Sequence, residues 1–366
     1  MHELIRTLLA TGLVLGVLVF VHELGHYLAA RWRGVHVDAF SIGFGRPLLR
    51  WHDRVGTEWR VCWIPIGGYV KPHGFEGPED ATPEQKAAWI PGKTFHDKPV
   101  GSRAIVILAG PVFNFLLAII LFTGLFYFAG QQAAGRRVAG VVASSAAATA
   151  GLRAGDEIEQ VGAVSVHSFD DLQPLIARQP GAQTTLLVRR DGHELSLPVT
   201  FGQVQSGGHA VGQLGANFAV TVGAPLPFGK AVVAGAAMTW HVTVQTLAGV
   251  WQMLTGQHSA RDLGGTLRIA QMSGQAAQYG VASLISFMAL LSVNLGLINL
   301  FPIPILDGGR LVFYALEAIL RRPVPRRVQE ISFQAGFAVI AGLFLFSTFN
   351  DLASFGVFHW LSHKGG

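Results

Sequence analysis

Three side chains near the N-terminus have the types and spacing for metal chemistry. His22, Glu23 and His26 lie in the pattern HELGH, which on a helix puts two imidazoles four residues apart on one face, where both can reach one zinc ion. The intervening glutamate stands where it can accept a proton from an activated water. The motif lies toward the end of an apolar run, Leu4 to Ala30. Ionisable groups in such a run are costly to bury and mark function, unless they merely end a span among headgroups. His36, His52, His73 and His193 sit in polar loop context and carry no such argument.

A catalytic zinc usually keeps three protein ligands and an open position, so a further ligand is expected at the same depth. Asp307 fits, because it closes the uncharged run Val281 to Leu306 within the segment NLFPIPILDGG, Asn299 to Gly309. Two prolines and a glycine pair break helix geometry there, and irregular backbone inside a membrane is tolerated only where it is packed in protein or lines a cavity. An ordinary interfacial aspartate at a span terminus is the other reading of Asp307.

These residues need a membrane framework, and the composition supplies one. Half of the 366 residues are apolar and only 13% are charged, the profile of a polytopic membrane protein rather than a soluble enzyme. Ala104 to Ala129 and Val281 to Leu306 contain no charged residue, and each exceeds the roughly 20 residues that cross hydrocarbon. Leu4 to Ala30 and Ile331 to Asn350 are long enough as well, giving four expected spans. The first run is longer than a signal-peptide core and no clear cleavage site follows it.

The net charge of +5 follows topology rather than gathering into a nucleic-acid-binding patch. Residues 31 to 103 carry eleven Lys and Arg, and Arg321, Arg322, Arg326 and Arg327 follow the third span. The positive-inside rule makes these loops cytoplasmic and puts the N-terminus and residues 131 to 280 on the far side. Cys62 is the single cysteine, which excludes an intramolecular disulfide. The uncharged stretch Ala231 to Leu254 is too rich in Thr and Gln to match the other spans. If it crossed, the third span would run the opposite way and Asp307 would leave the histidines, so it is expected to be an interfacial helix.

HELGH, the segment AGPVFNF from Ala109 to Phe115, and NLFPIPILDGG stand in the order and spacing of one family. The chain resembles the site-2 proteases, intramembrane zinc metalloproteases, in their bacterial form with an inserted PDZ domain. The resemblance implies that Asp307 is the third zinc ligand and that Asn299 helps hold substrate. From the residues alone, the Asn299 amide suits either an extended peptide backbone or an interhelical hydrogen bond, and Asn114 suits either packing beside Gly110 or substrate contact.

Residues around Phe40 to Phe44, Leu48 to His52 and Glu58 to Val70 read as a hairpin-rich β element with Gly43, Gly45, Gly56, Gly67 and Gly68 at turns or bulges. A strand edge there, near Gly67 and Gly68, would hold an unwound substrate in extended form, as a membrane-associated β-loop is thought to do in the family; a plain cytoplasmic connector is the alternative. AGLRAGDEI, Ala150 to Ile158, looks like a PDZ signature, with a helix expected to begin near Ser168 and a strand pair across Asp191-Gly192. That domain would capture a peptide or act as a steric filter. The best-known relatives carry two such domains, and this chain has room for one.

The expected architecture is a polytopic α-helical membrane protein of about four transmembrane helices, with a cytoplasmic membrane-associated β-hairpin region and an inserted α/β PDZ domain. Residues 1–136 form the first part of the membrane core, 137–222 the PDZ domain, 223–280 an interfacial helical segment and 281–366 the second part of the core. The expected activity is hydrolysis of peptide bonds in transmembrane segments, with Glu23 as general base, Zn2+ held by His22, His26 and Asp307, and Asn299, Asn114, Gly67 and Gly68 as substrate contacts. The resemblance implies membrane-embedded substrates already cut by another protease, such as anti-sigma factors or remnant signal peptides, and a bacterial inner-membrane location. A catalytically silent PDZ adaptor is the rival, disfavoured by an intact Glu23; a zinc transporter would want polar residues along several spans.

Overall fold

A computed structural model describes residues 2–79, 81–206, 209–256 and 265–354. Parts of the expected 137–222, 223–280 and 281–366 segments therefore lie outside the described residues. Contacts divide the chain into two units, Met1–Gly124 with Gly229–Leu247 and Ala260–Gly366, and Leu125–Phe228 with Ala248–Ser259.

The first unit opens with α1 (His2–Trp32), a 31-residue helix carrying HELGH in its second half. Two long antiparallel strands follow, β1 (Val37–His52) and β2 (Glu58–Pro72), where the sequence pattern predicts a hairpin. Residues 37–43 of β1 are largely buried, whereas the outer half exposes Leu48, Leu49 and Trp51. Asp53 closes the turn between the strands, its carboxylate accepting from Val55 N, Thr57 N, Trp59 Nε1 and Tyr27 Oη at 2.8–3.1 Å. A short helix α2 (Pro83–Ala87) precedes α3 (Val100–Phe128), whose Pro111 interrupts the internal hydrogen-bond ladder.

The second unit is an antiparallel sheet of β3 (Gln132–Val141), β4 (Glu157–Val161), β5 (Val164–Ser165), β6 (Gln183–Arg190), β7 (His193–Thr200) and, after the separate hairpin β8 (Gly202–Ser206) and β9 (His209–Gln213), β10 (Ala216–Val222). Helices α4 (Ala146–Thr149) and α5 (Phe169–Ala177) complete it, around a core that includes Val138, Ile158, Leu172, Leu186 and Phe201. The helix expected near Ser168 is α5: Ser168 Oγ accepts from Asp171 N and the Asp171 carboxylate accepts from Ser168 N, a reciprocal cap. β6 and β7 meet at Asp191-Gly192, both with positive φ, as a two-residue hairpin requires. Within AGLRAGDEI, buried Asp156 receives both Nε and an Nη of Arg190 at 2.7 Å. Burial pushes that carboxyl upward, but the Arg190 guanidinium and the Arg153 amide hold it below the usual range.

The first unit resumes with α6 (Phe228–Leu254), α7 (Thr266–Gln278), α8 (Val281–Asn299), α9 (Asp307–Leu320) and α10 (Arg326–Ser354). Among the described residues four helices are long and apolar enough to cross a bilayer: α1, α3, α8 and α10. Two features add to the sequence-based expectation. First, α6 is helical as expected but packs along the bundle: Gly235 lies against Ile119 and Thr123 of α3, and Thr246 Oγ1 donates to Asn294 Oδ1 of α8 at 2.9 Å. The α6 hydroxyls of Thr239 and Thr243 are satisfied locally, Thr239 on Gly235 O and Thr243 on Thr239 O. α7 runs beside the N-terminal half of α1, with Thr11 Oγ1 3.5 Å from Ala270 O and Gly274 against Thr7. Second, the helix break expected at the two prolines is present, and a separate helix follows it. α8 stops at Asn299, and Asp307 begins the separate helix α9.

Although desolvation pushes it upward, the bonds from Trp59, Tyr27, Thr57 and Val55 hold the Asp53 carboxyl down at about 2. A depressed carboxyl contributes stability above its unfolded value, near 4, that is lost as pH falls through the folded value. The Val55 and Thr57 amides are expected to stay protected from exchange at pH 5 and to lose protection between about pH 4 and 2. Asp53→Ala should lose that protection at every pH and speed trypsin cleavage after Arg54; unchanged exchange would contradict this role.

Candidate active site

The HELGH spacing does on α1 what helix geometry requires. His22 and His26 share the face that meets α3, and glycine is needed on both sides of the contact. A Cβ on Gly25 would overlap Ala109 O, and one on Gly110 would overlap His26 Nε2. Pro111 opens α3 beside this point, and the nearby Val106 O accepts from His26 Nδ1 at 2.8 Å. A carbonyl only accepts, so Nδ1 carries the ring proton and Nε2 presents a lone pair.

His22 is oriented in the same manner. Its Nδ1 lies 3.0 Å from the side-chain amide of Asn114, which is fully buried, and the Asn114 oxygen otherwise has no partner. With the amide turned so that its oxygen accepts from Nδ1–H, His22 Nε2 is left unprotonated, as it is in His26. Asn114 is itself fixed from α8, where Ser292 Oγ donates to its backbone carbonyl at 2.7 Å.

Asp307 enters at the first turn of α9. The 300–306 segment folds tightly under that turn, and a Cβ on Gly308 or Gly309 would overlap its backbone at Leu300, Phe301 or Ile303. This packing brings Asp307 Oδ2 to 3.2 Å from His22 Nε2 and 3.4 Å from His26 Nε2, while the two Nε2 atoms are 3.2 Å apart. Asp307 Oδ2 has no hydrogen-bond donor. Three lone-pair atoms facing one another repel unless a cation lies among them. Tetrahedral zinc with bonds of about 2.0–2.1 Å separates its ligands by about 3.3–3.4 Å, so the residues fit the metal in both donor type and spacing.

Glu23 and Asn299 line a cavity of about 340 Å³ with the three donors. The sequence-predicted residues thus separate into groups. His22, His26, Asp307, Glu23 and Asn299 are brought together. Gly68 lies beside them, where a Cβ would overlap Ser41 O, crowd Val19 and touch the Glu23 stem, whereas a Cβ on Gly67 would overlap the Phe44 ring. Asn114 is not brought into the cavity: it is buried behind His22, with its side-chain amide 3.0 Å from His22 Nδ1. Tyr69, Phe75 and Arg310 line the cavity without having been anticipated. The signal for Arg310 was available, as a charge directly after the Asp-Gly-Gly turn; aromatic Phe75 offered none.

These contacts predict a zinc titration result. Asn114→Ala is expected to bind zinc about 10- to 100-fold more weakly, as loss of an orienting partner typically does. Gly110→Ala should lose stoichiometric zinc, while Gly124→Ala on the same helix, where a Cβ meets open space, should keep it. Equal zinc in all three proteins would contradict the packing described.

A model of peptidase family M50 matches residues 10–343. Relatives from Rhizobium meliloti (strain 1021) and Agrobacterium fabrum (strain C58) are 40% and 41% identical over 358 and 361 residues, covering 93% of this chain and 94% of each relative. Both are named, provisionally, as zinc metalloproteases. Metalloprotease MmpA of Caulobacter vibrioides is 36% identical over 390 aligned residues, covering 95% of this chain and 96% of its own. The family match runs through all the positions that converge on the site, and the chain belongs to peptidase family M50, as a membrane zinc metalloprotease of the site-2 protease type.

Proposed function

We propose that this protein hydrolyses peptide bonds within transmembrane segments of other membrane proteins, with His22, His26 and Asp307 holding zinc and Glu23 acting as general base. The observation that carries this reading is the tetrahedral spacing of the three donors, with Glu23 in the same cavity, among helices long enough to span a bilayer. When bound, zinc supplies Lewis acidity that polarises a carbonyl and lowers the pKa of water. Glu23 takes the water proton as the oxygen adds to the scissile carbon, and returns it to the leaving amine as the C–N bond breaks. Asn299, on the cavity wall at the end of α8, holds substrate backbone through its amide.

A helical substrate hides its backbone and must be unwound before attack. Tyr69 and Val70 of β2 line the cavity beside Glu23, and Gly68 keeps that stretch of strand free of side-chain bulk on the Glu23 side. We place the extended substrate along this strand. The second unit, with its capped α5 and the Asp156-anchored loop, is a PDZ-like domain in this account, and it captures or filters substrates that another protease has already shortened, such as anti-sigma factors or remnant signal peptides. Bacterial relatives support an inner-membrane location, and the charge distribution supports an N-terminus and a PDZ-like domain outside the cytoplasm, with the β-hairpin inside.

Two measurements test this. In a Cys62→Ser background, Ser196→Cys is expected to react with an impermeant thiol reagent added outside intact cells; protection there would invert the orientation. Glu23→Gln preserves size and hydrogen bonding but cannot take a proton, so it should retain zinc and co-purify with a membrane-embedded substrate while cleavage falls by about 10² to 10⁴. Near-normal cleavage by this variant would sink the mechanism.

A further inference from the structure

Arg310 stands one turn beyond Asp307 on α9 and is the only Lys or Arg among the described residues lining the cavity that holds Glu23 and the three donors. Its guanidinium carbon lies 4.4 Å from the centroid of the Phe75 ring and 5.8 Å from that of Phe333, so two aromatic rings from different segments fix its position. It donates no hydrogen bond and pairs with no carboxylate among the described residues. The neighbouring cation Arg103 shows the contrast. Its Nη2 lies 2.7 Å from Glu317 Oε1, an ion pair that ties α3 to α9 and leaves no donor role to explain.

On the cavity wall Arg310 is held against two aromatic rings, and its donors have no protein partner among the described residues and are free to bind what enters the cavity. Substrate carbonyls are neutral at rest and gain negative charge only during reaction. When water adds, the new C–O bond forms at the carbonyl carbon, the carbonyl π pair moves onto its oxygen, and the water proton passes to Glu23. As the C–N bond breaks, that pair re-forms the carbonyl and Glu23 returns the proton to the amine. A preorganised cation on the cavity wall stabilises this transient charge more than it stabilises the starting peptide. We propose that Arg310 is a catalytic residue that donates from its guanidinium to the scissile carbonyl oxygen as this charge develops. The inference rests on the proposed hydrolysis.

The test uses full-length protein with Arg310→Met and Arg310→Lys, measuring zinc per chain, kcat and KM on a transmembrane peptide, and affinity for a phosphinic peptide, whose tetrahedral anion mimics the charged intermediate. For Arg310→Met the expected result is wild-type zinc, KM within about threefold, kcat lower by about 10² to 10³, and a parallel loss of phosphinate affinity. Arg310→Lys keeps charge without the planar fork and should recover part of both losses. A raised KM with kcat and phosphinate affinity intact would make Arg310 a ground-state anchor, and wild-type values throughout would make it packing for Phe75 and Phe333; either overturns the proposal. If Arg310→Met fails to fold, Arg310→Lys decides: a kcat at least about tenfold lower supports the role, and a wild-type kcat ends it. Wild-type protein without zinc or cleavage would instead bring down the protease reading itself.

Discussion

Two imidazole nitrogens and a carboxylate oxygen hold their lone pairs 3.2–3.4 Å apart in the middle of an apolar bundle, an arrangement that only a cation makes favourable. Much of the first unit serves to hold that arrangement. Gly25 and Gly110 let α1 and α3 approach until the imidazoles fill the space between them. Val106 O and Asn114 fix the rings with Nε2 inward, and Ser292 ties Asn114 to α8. The glycine pair after Asp307 lets α9 start hard against the 300–306 segment, and Arg103 with Glu317 clamps α9 to α3. Each device acts on orientation, the quantity a metal site demands most, and each uses backbone or buried groups that solvent cannot disturb.

Glu23 and the β-hairpin add the second requirement, access for an extended peptide. The cavity has α1, α3 and α9 on its walls and β2 at its side, so a substrate backbone laid along Tyr69 and Val70 would pass beside Glu23. Gly68 is the residue through which the strand and the catalytic helix can come this close. The hairpin contributes Tyr69, Val70 and Pro72 to the cavity wall, and its closed end depends on the four hydrogen bonds that Asp53 accepts.

Much of this was legible in the sequence because the features are local or charge-coded. HELGH implies its own geometry, Asp307 stands out as a charge after a long uncharged run, and the hairpin and the Ser168 cap follow from alternation and capping pairs. What the sequence left open shares another origin. Asn114 has the same composition whether it faces a substrate or a histidine, and only packing shows it beside His22. The threonines of α6 count as polar, although the hydroxyls of Thr239 and Thr243 bond one turn back in the helix. The prolines before Asp307 mark a break, but that the Gly-Gly pair forms the first turn of a new helix is a property of the packing. Arg310 was readable as a charge at the site, but its role depends on which carboxylates lie within reach, and that is a property of the fold.

Zinc-edge X-ray absorption on purified full-length protein tests whether zinc binds among His22, His26 and Asp307. The account predicts one zinc per chain with imidazole nitrogen and oxygen neighbours at about 2.0–2.2 Å, and loss of the imidazole signal in His26→Ala. A sulfur neighbour at about 2.3 Å, which would implicate Cys62, or an unchanged spectrum in His26→Ala would contradict it.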